Sequence, residues 1–277
     1  MRLAIVAHRS SQTNDALLAA GDALGIHTVQ LTPREALHSL RPADVALARL
    51  DVRKTCDGIE DGMRELEKLA AAGVLVLNPP AALAATHDKL LTSRTLRRAG
   101  LPHPHTWLIA DGLPAPVPEL PVVLKPRHGS WGRGVTLCRT HDDVADAAQA
   151  LYSEHGVLAQ ELVPPLGWDA RLVVAGGRVV GSARRIAAEG EWRTNVSLGG
   201  HSVHFAAPPL ARTLAILAAD AVHADLVGVD LLPTANGWVI AELNGAVDFR
   251  PWYGEDVFVA ALSELLRVAR DRRAAAA

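Results

Sequence analysis

The sequence predicts a protein that begins as an α/β domain and continues as α+β. Up to Asn78, short apolar strands alternate with helical segments, which is typical of a parallel sheet with helices on its faces. A new organisation starts at Thr86, where strands become more frequent than helices. Paired strands joined by a Gly176-Gly177 turn indicate a third part that contains an antiparallel hairpin.

Length and composition limit the classes of function. A chain of 277 residues can bury a large core divided among two or three small domains. Its 49% hydrophobic and 21% charged residues predict a soluble globular protein. The net charge of −2 offers no basic field for a nucleic acid, and no apolar run approaches the length of a membrane helix. Two cysteines and no recognisable leader predict a cytoplasmic location.

The first domain should contain a parallel sheet. Strands are expected at Leu3–Ala7, Val29–Leu31, Val45–Leu47 and Val74–Leu77, with helices at Asn14–Leu24, Arg34–Leu40 and Gly58–Ala72. The first strand is followed by His8-Arg9-Ser10-Ser11-Gln12 instead of a GxGxxG fingerprint, so dinucleotide binding is not predicted there.

The remaining elements follow from apolar runs and capping signals. Asp88 can cap a helix that runs to Gly100. Strands are expected at Thr106–Ile109, Val122–Lys125, Val135–Cys138, Val157–Glu161, Ala170–Val174, Arg178–Arg184, Val227–Leu232 and Trp238–Glu242, with helices at Asp142–Leu151, Pro209–Ala224 and Asp256–Arg270. We expect four histidines to lie on the surface or in loops because no Cys/His ligand set surrounds them: His103, His105, His201 and His204.

A glycine-rich stretch follows the strand that ends in Lys125. Gly129, Gly132 and Gly134 allow the backbone to take positive φ and to approach a ligand closely. Such loops present N–H donors to phosphate oxygens, and the lysine adds a point charge. The stretch is neither a Walker loop nor a Rossmann fingerprint, because a strand follows it. A simple β-hairpin turn is the alternative interpretation.

Two acids stand at the ends of apolar strands near the C-terminus. If the strands VGVDLL and WVIAEL pair through the turn at Asn236-Gly237, Asp230 and Glu242 lie side by side. Two neighbouring carboxylates repel unless a cation lies between them. Asn244 points to the same face as Glu242 and adds a neutral oxygen. This all-oxygen set suits Mg²⁺ on nucleotide phosphates, and the alternative is a pair of edge-strand acids in water.

Several arginines accompany an irregular loop that bears Gly199 and Gly200. Arg171 and Arg193 offer planar guanidinium groups, which bind carboxylates and phosphates in a bidentate manner. Because strand residues alternate between faces, Arg184 and Arg185 cannot both reach one ligand. We expect Arg184 to be a solvated surface charge.

Five motifs together resemble the ATP-grasp ligases. They are THDKLLTSRTLRRAGLPHPHTW, KPRHGSWGRGV, QELV with WDARLVV, RRIAAEGEWRTNVSLGG, and GVDLL with VIAELN, and they occur in the order of that family. The chain is most similar to the branch of the ribosomal-protein glutamate ligase and the carrier-protein ligases of lysine and arginine biosynthesis. The resemblance implies an N-terminal pre-ATP-grasp domain (1–85) and two α+β subdomains (86–163 and 164–277) that grip ATP. It also implies that a carboxylate is phosphorylated by ATP to an acylphosphate, which an amine then attacks.

The resemblance assigns roles to individual residues. Those implied for ATP binding are Lys89, Lys125, Gly129, Ser130, Gly132, Gly134, the hinge residues Glu161, Leu162 and Val163 at the adenine, and Asp169 at the ribose. Asp230, Glu242 and Asn244 would bind Mg²⁺, as two ions, with Mn²⁺ as a substitute. Those implied for stabilising the transferring phosphoryl group are Arg171, Arg185, Arg193 and Asn195. No general base is evident.

Two departures concern the substrate. After the Glu-x-Asn motif the chain reads Gly245-Ala246-Val247-Asp248-Phe249-Arg250, which is more similar to the lysine-pathway ligases than to glutamate-adding enzymes. The segment from the hinge to Asp169 is also slightly short. The expected substrates are an amino acid or peptide, with a carrier-protein C-terminus and a homo-oligomer as further possibilities.

Two other classes of function remain open. One is a nucleotide-binding protein with decayed catalysis, and the other is a dinucleotide-dependent oxidoreductase built on the first domain.

Overall fold

A computed structural model describes residues 2–109, 119–151 and 156–276. The strands are β1 (Leu3–Val6), β2 (Thr28–Leu31), β3 (Val45–Ala48), β4 (Leu75–Leu77), β5 (Thr106–Ile109), β6 (Val122–Pro126), β7 (Thr136–Cys138), β8 (Val157–Glu161), β9 (Trp168–Ala175), β10 (Arg178–Ile186), β11 (His201–His204), β12 (Leu226–Thr234) and β13 (Gly237–Asn244). The helices are α1 (Gln12–Ala23), α2 (Pro33–Ser39), α3 (Met63–Ala71), α4 (Pro80–His87), α5 (Lys89–Arg98), α6 (His141–Ala150), α7 (Pro209–Ala221) and α8 (Val257–Ala276). Among the helices in these ranges, none is long and apolar enough to cross a membrane.

The first sheet is parallel, with the strand order β2-β1-β3-β4. Every residue of β1 and β3 is buried, because helices cover both faces of the sheet. Residues of α2 and α3 pack on Ala4 and Val6. Residues of α1 and of the C-terminal helix α8 pack on Leu3 and Ile5. This sheet confirms the expected α/β organisation of the first part.

The second sheet is antiparallel, with the strand order β5-β8-β6-β7. Val122 and Leu124 pack with helix α6 in one hydrophobic cluster. Because side chains alternate along a strand, Val123 and Lys125 point to the opposite face. The face that carries Lys125 looks toward the third sheet.

The third sheet has five antiparallel strands in the order β11-β10-β9-β12-β13. Ala170, Leu172 and Val174 pack against α7. Val173 and Ala175 pack in the core that contains α8. Arg171 alternates with the residues that face α7, so it projects from the other face.

Asn78 and helix α8 join the first sheet to the third. Asn78 directly follows β4 in the left-handed region (φ 53°), and its side-chain oxygen accepts hydrogen bonds from the backbone N–H groups of Asp225 (2.8 Å) and Leu226 (2.9 Å). Helix α8 places Leu262 and Leu265 in the core that contains Leu3 and Val173. One core therefore contains residues from both the 1–85 and the 164–277 ranges. These domain bounds stay predictions.

Three elements differ from the sequence-based expectation. Helix α3 begins at Met63 instead of Gly58, because residues 51–61 form a loop closed by a bridge between Val52 and Ile59. Helix α4 was not predicted, since its Ala-rich sequence lacks an amphipathic period and follows two prolines. Strand β11 was also missed because it is a mostly exposed edge strand with no apolar alternation.

Candidate active site

Most of the residues singled out from the sequence lie around one cavity of about 160 Å³ between the second and third sheets. Those that line it are Lys89, Lys125, Gly129, Ser130, Gly132, Glu161, Leu162, Val163, Asp169, Arg185, Arg193, Asn195, Asp230 and Glu242. Gly134, Arg171 and Asn244 are not in the lining. Arg171 and Asn244 instead contact Asp230 from outside it.

The two acids at the strand ends lie side by side, as the sequence predicts. Asp230 on β12 is directly opposite Glu242 on β13, and the register shifts immediately afterwards so that Leu231 is opposite Ile240. Directly opposite residues of neighbouring strands share a face. The bulge at Ala241 therefore begins only after the acids have been paired.

Asp230 is only 3% exposed and is surrounded by arginines. Arg171 binds it in a bidentate manner, at 2.7 and 2.8 Å, and Arg185 donates a further hydrogen bond at 2.8 Å. Burial alone would raise the pKa of Asp230, but the two guanidinium groups hold it well below its usual range. Asp230 is therefore a carboxylate at any physiological pH.

Lysines at the same cavity neutralise the second acid. The Nζ of Lys89 lies 2.8 Å from Oε1 of Glu242. Partial burial and the charge of Asp230 raise the pKa of Glu242, but Lys89 and Lys125 lower it more, so the pKa is lowered overall. Lys125 is 7% exposed and donates to Oε1 of Gln160 at 2.7 Å. Its burial lowers the pKa of Lys125 to about 8, so the amine can lose its charge slightly above neutral pH.

Asp169 is bound to Arg185 and Thr194. It accepts two hydrogen bonds from that guanidinium, at 2.7 and 2.5 Å, and one from the Thr194 hydroxyl at 2.6 Å. These contacts fix Arg185 between Asp169 and Asp230, so its plane is locked before any ligand binds. The ribose contact implied for Asp169 stays a prediction.

Gln160 and His103 were missed as neighbours of the site. Gln160 precedes the hinge on β8 and bridges Lys125 to Thr106, donating to the Thr106 hydroxyl at 2.8 Å. His103 lies in a loop, as expected, but it is partly buried. Its Nδ1 donates to the carbonyl of Ile240 at 2.7 Å, and burial lowers the pKa of His103 to about 4, so the ring is neutral. The sequence indicated Gln160 only by its position, two residues before the hinge residue Leu162.

The alternation of Arg184 and Arg185 is confirmed, but the solvated position of Arg184 was wrong. Its guanidinium lies 4.1 Å from the centroid of the Trp168 ring and 5.1 Å from that of Phe205. Stacking on aromatic rings keeps the charge partly desolvated and away from the cavity.

The glycine-rich loop closes the cavity by contacts with other parts of the chain. Lys89 donates to the carbonyl of Gly129, Arg193 donates to that of Val135 at 3.1 Å, and the Ser197 hydroxyl donates to that of Trp131 at 2.9 Å. Gly132 has φ 71°, and a Cβ there would lie 2.7 Å from Oδ1 of Asn195. Both the backbone angle and the close approach require glycine at this position.

The donor chemistry fits a magnesium site, although the described residues hold no group of three or more His, Cys, Asp or Glu side chains. Asp230 and Glu242 supply carboxylate oxygens, and the Asn244 amide lies 3.4 Å from Asp230. Mg²⁺ commonly takes one or two carboxylates and completes its shell with phosphate and water oxygens. Such a set needs the nucleotide as a co-ligand.

Comparisons with known proteins agree with this arrangement. The family model described as RimK-like ATP-grasp domain matches residues 86–255. A probable alpha-L-glutamate ligase of Pseudomonas aeruginosa is 32% identical over 194 residues, covering 67% of this chain and 64% of the relative. One of Thioalkalivibrio sulfidiphilus is 33% identical over 192 residues, with the same coverage. The chain thus spans slightly less than two thirds of the length of these relatives.

Solved structures show the same fold. A RimK domain ATP-grasp protein from Sphaerobacter thermophilus superposes with a TM-score of 0.66 at 24% identity, covering 95% of this chain and 98% of that chain. The D-alanine–D-alanine ligase of Bacillus anthracis superposes with a TM-score of 0.75 at 14% identity, with both chains fully covered. The ATP-grasp ligase PsnB bound to precursor peptide and AMPPNP superposes with a TM-score of 0.67 at 20% identity, with 96% of each chain covered. The antiparallel sheets that enclose the charged cavity are thus those of the ATP-grasp fold, and the chain belongs to the RimK-like ATP-grasp family.

Proposed function

We propose that this chain is an ATP- and Mg²⁺-dependent ligase that joins a carboxylate to an amine and releases ADP and phosphate. The observation that carries the proposal is the convergence of Lys89, Lys125 and Arg185 with two paired carboxylates beneath the glycine-rich loop. Phosphoryl transfer requires little covalent chemistry from a protein, because positioning and charge neutralisation supply most of the catalysis.

The cations of the chain have distinct tasks in this reaction. Lys89 and Lys125 neutralise the phosphate oxygens of ATP, and hinge residues Leu162 and Val163 accommodate the adenine. Arg185, already held by Asp169 and Asp230, stabilises the charge that moves to the acylphosphate. Arg193 and Asn195 secure the loop that excludes water from this intermediate.

Asp230, Glu242 and Asn244 would hold Mg²⁺, as two ions, with Mn²⁺ as a substitute. The bound metal supplies charge neutralisation at the phosphates. Lys89 forms an ion pair with Glu242, and Arg171 forms one with Asp230. These pairs keep the two carboxylates ionised and able to bind a cation. A divalent ion would then compete with Lys89 for Glu242.

We propose an amino acid as one substrate and an amino acid, a peptide or a protein C-terminus, including that of a carrier protein, as the other. The support is that relatives are named alpha-L-glutamate ligases and that a solved structure of the same fold holds a precursor peptide. The cytoplasmic location and a homo-oligomer stay predictions.

The test is a product analysis with a panel of amino acids and short peptides, supplied with ATP and Mg²⁺. We expect stoichiometric ADP and phosphate that depend on both an acid and an amine. Lys125→Met should lose this activity and keep its fold, whereas Lys68→Met, which changes an exposed lysine on α3, should retain it.

AMP and pyrophosphate as the stoichiometric products would contradict the acylphosphate route. ATP binding without turnover on any pair would favour the alternative of a nucleotide-binding protein with decayed catalysis.

A further inference from the structure

A second cavity, of about 590 Å³, lies between the first sheet and the glycine-rich loop. Ser130 and Arg133 line both this cavity and the first one, so the two spaces meet beneath the loop. The loop that follows β3, with Arg49 and Asp51, forms part of its wall. A molecule in the second cavity would therefore reach the phosphate end of the first.

The second cavity has exposed cations at its rim and a buried arginine in its interior. Arg9, Lys54 and Arg133 are exposed, and none has an acidic partner in the described part of the chain. Arg49 is buried, donating to Asn14 at 2.6 Å and to the carbonyl of Val247 at 2.9 Å. Cations at the rim suit an outward carboxylate, because guanidinium and ammonium groups bind carboxylates strongly.

Asp51 is one of four acids that line the second cavity, with Glu60, Asp61 and Asp248. Its carboxylate accepts a hydrogen bond from the backbone N–H of Val52 at 2.7 Å, and no cation lies within ion-pair distance in the described residues. This differs from Asp169, Asp230 and Glu242, whose carboxylates are all bound to Arg or Lys. An unpaired carboxylate can accept a proton, whereas one held by guanidinium groups cannot do so at neutral pH.

The neighbours of Asp51 set its proton affinity. Burial raises the pKa of Asp51, and the charge of Asp248 raises it further, while Arg49 and Lys89 lower it. The carboxyl group of Glu60 accepts the backbone N–H of Asp51 at 3.0 Å. Asp51 lines the second cavity, which meets the first at Ser130 and Arg133.

We propose that the second cavity binds the amine substrate, an amino acid or peptide, and that Asp51 accepts the proton of its attacking amino group. This rests on the ligase activity proposed above. The carboxylate of the amine substrate would lie at the cationic rim, and its amino group at Asp51. A general base at this point supplies the function for which the sequence offered no residue.

The step balances in atoms and charge. The amine nitrogen forms a bond to the acyl carbon as the bond from that carbon to the phosphate oxygen breaks. An ammonium group loses two protons in becoming an amide. One passes to Asp51 and then to solvent, and the other leaves with inorganic phosphate.

The test separates the amine step from acylphosphate formation. Hydroxylamine is largely unprotonated at neutral pH, so it traps an acylphosphate as a hydroxamate without needing a base. We expect Asp51→Asn to lower kcat for ligation of the most active amino acid by about 100-fold or more while hydroxamate formation continues at the wild-type rate. Asp51→Glu should restore part of the ligation rate, and circular dichroism checks the fold of each variant.

Asp44→Asn is the matched control, since Asp44 lies at the opposite end of β3, pairs with Arg2 and is outside both cavities. It should leave both rates unchanged. Ligation by Asp51→Asn within about threefold of wild type would overturn the proposal, as would a parallel loss of hydroxamate. Absence of any hydroxamate from the wild-type protein would instead overturn the ligase activity and this inference with it.

Discussion

Glu242→Gln tests whether the paired acids serve catalysis or folding. Glu242 contacts Lys89 at 2.8 Å, and its side chain is 31% exposed, so solvent screens the pair. We expect the free energy of unfolding to change by at most about 1 kcal/mol. A change of that size lowers Tm by about 2–4 °C.

Turnover should respond far more strongly to the same substitution. A carboxylate that positions a metal at transferring phosphates supplies several kcal/mol of transition-state stabilisation, and about 3 kcal/mol corresponds to a rate loss of more than about 100-fold. Asp230→Asn is a poorer test. It removes the buried partner of two arginines, which should cost about 3–5 kcal/mol of stability.

The assay is ADP release at saturating Mg²⁺, with circular dichroism and thermal unfolding on the same samples. Glu264→Gln is a matched control, because Glu264 pairs with Arg267 on α8 and is outside the cavity. Activity of Glu242→Gln near that of the wild type, with a normal spectrum, would refute the metal role. If the rate falls only in proportion to the fraction of folded protein, Glu242 contributes to folding and not separately to catalysis.

Four further expectations concern the loop and Lys125. Trp131→Ala, which removes a half-exposed loop indole, should raise ATP hydrolysis relative to ligation, and ATP should slow hydrogen exchange across Gly129–Gly134. Unchanged exchange would contradict a lid. Gly132→Ala should lower turnover at least tenfold, since its Cβ meets Asn195 at a positive φ, and ADP release measures it. The KM for ATP should rise above pH about 8 as Lys125 loses its charge, and Lys125→Arg should remove that rise. The pKa of Lys125 is lower in the folded protein, at about 8, than its unfolded value of 10.5. Burying the charged amine should therefore lower the free energy of unfolding by about 3 kcal/mol below pH 8, and this destabilisation should decline between pH 8 and 10.5. Thermal unfolding across that range, against Lys125→Met, measures it.

The local sequence pattern was sufficient to predict much of the fold and many of the residues that line the first cavity. The pairing of Asp230 with Glu242 follows from two strand ends and the turn between them, so a short segment determines it. The opposite faces of Arg184 and Arg185 follow from the two-residue period of a strand. The cap of α5 by Asp88 follows from residue type, and its carboxylate accepts from the N–H of Leu90 at 3.0 Å.

Contacts between distant parts of the chain required the tertiary structure. Nothing in the periodicity of α8 indicates that it packs on a sheet whose first strand lies more than 250 residues away. The arginine cluster at Asp230 depends on which strand lies beside β12, and the sequence does not specify that neighbour. Helix α4 and strand β11 were missed because α4 is mostly buried and β11 is mostly exposed, so neither shows a contrasting face in its sequence.

The sequence by itself determined the family, the charged residues of the first cavity and the alternation that orients them. Only the tertiary structure decided which carboxylates are bound by cations and which are not. Asp169 and Asp51 are the same residue type, yet Asp169 is held by Arg185 and Asp51 lines the second cavity without an ion-pair partner among the described residues. The reason is physical: a strand period fixes direction over a few residues, whereas the environment of a side chain depends on elements that meet only when the chain is packed.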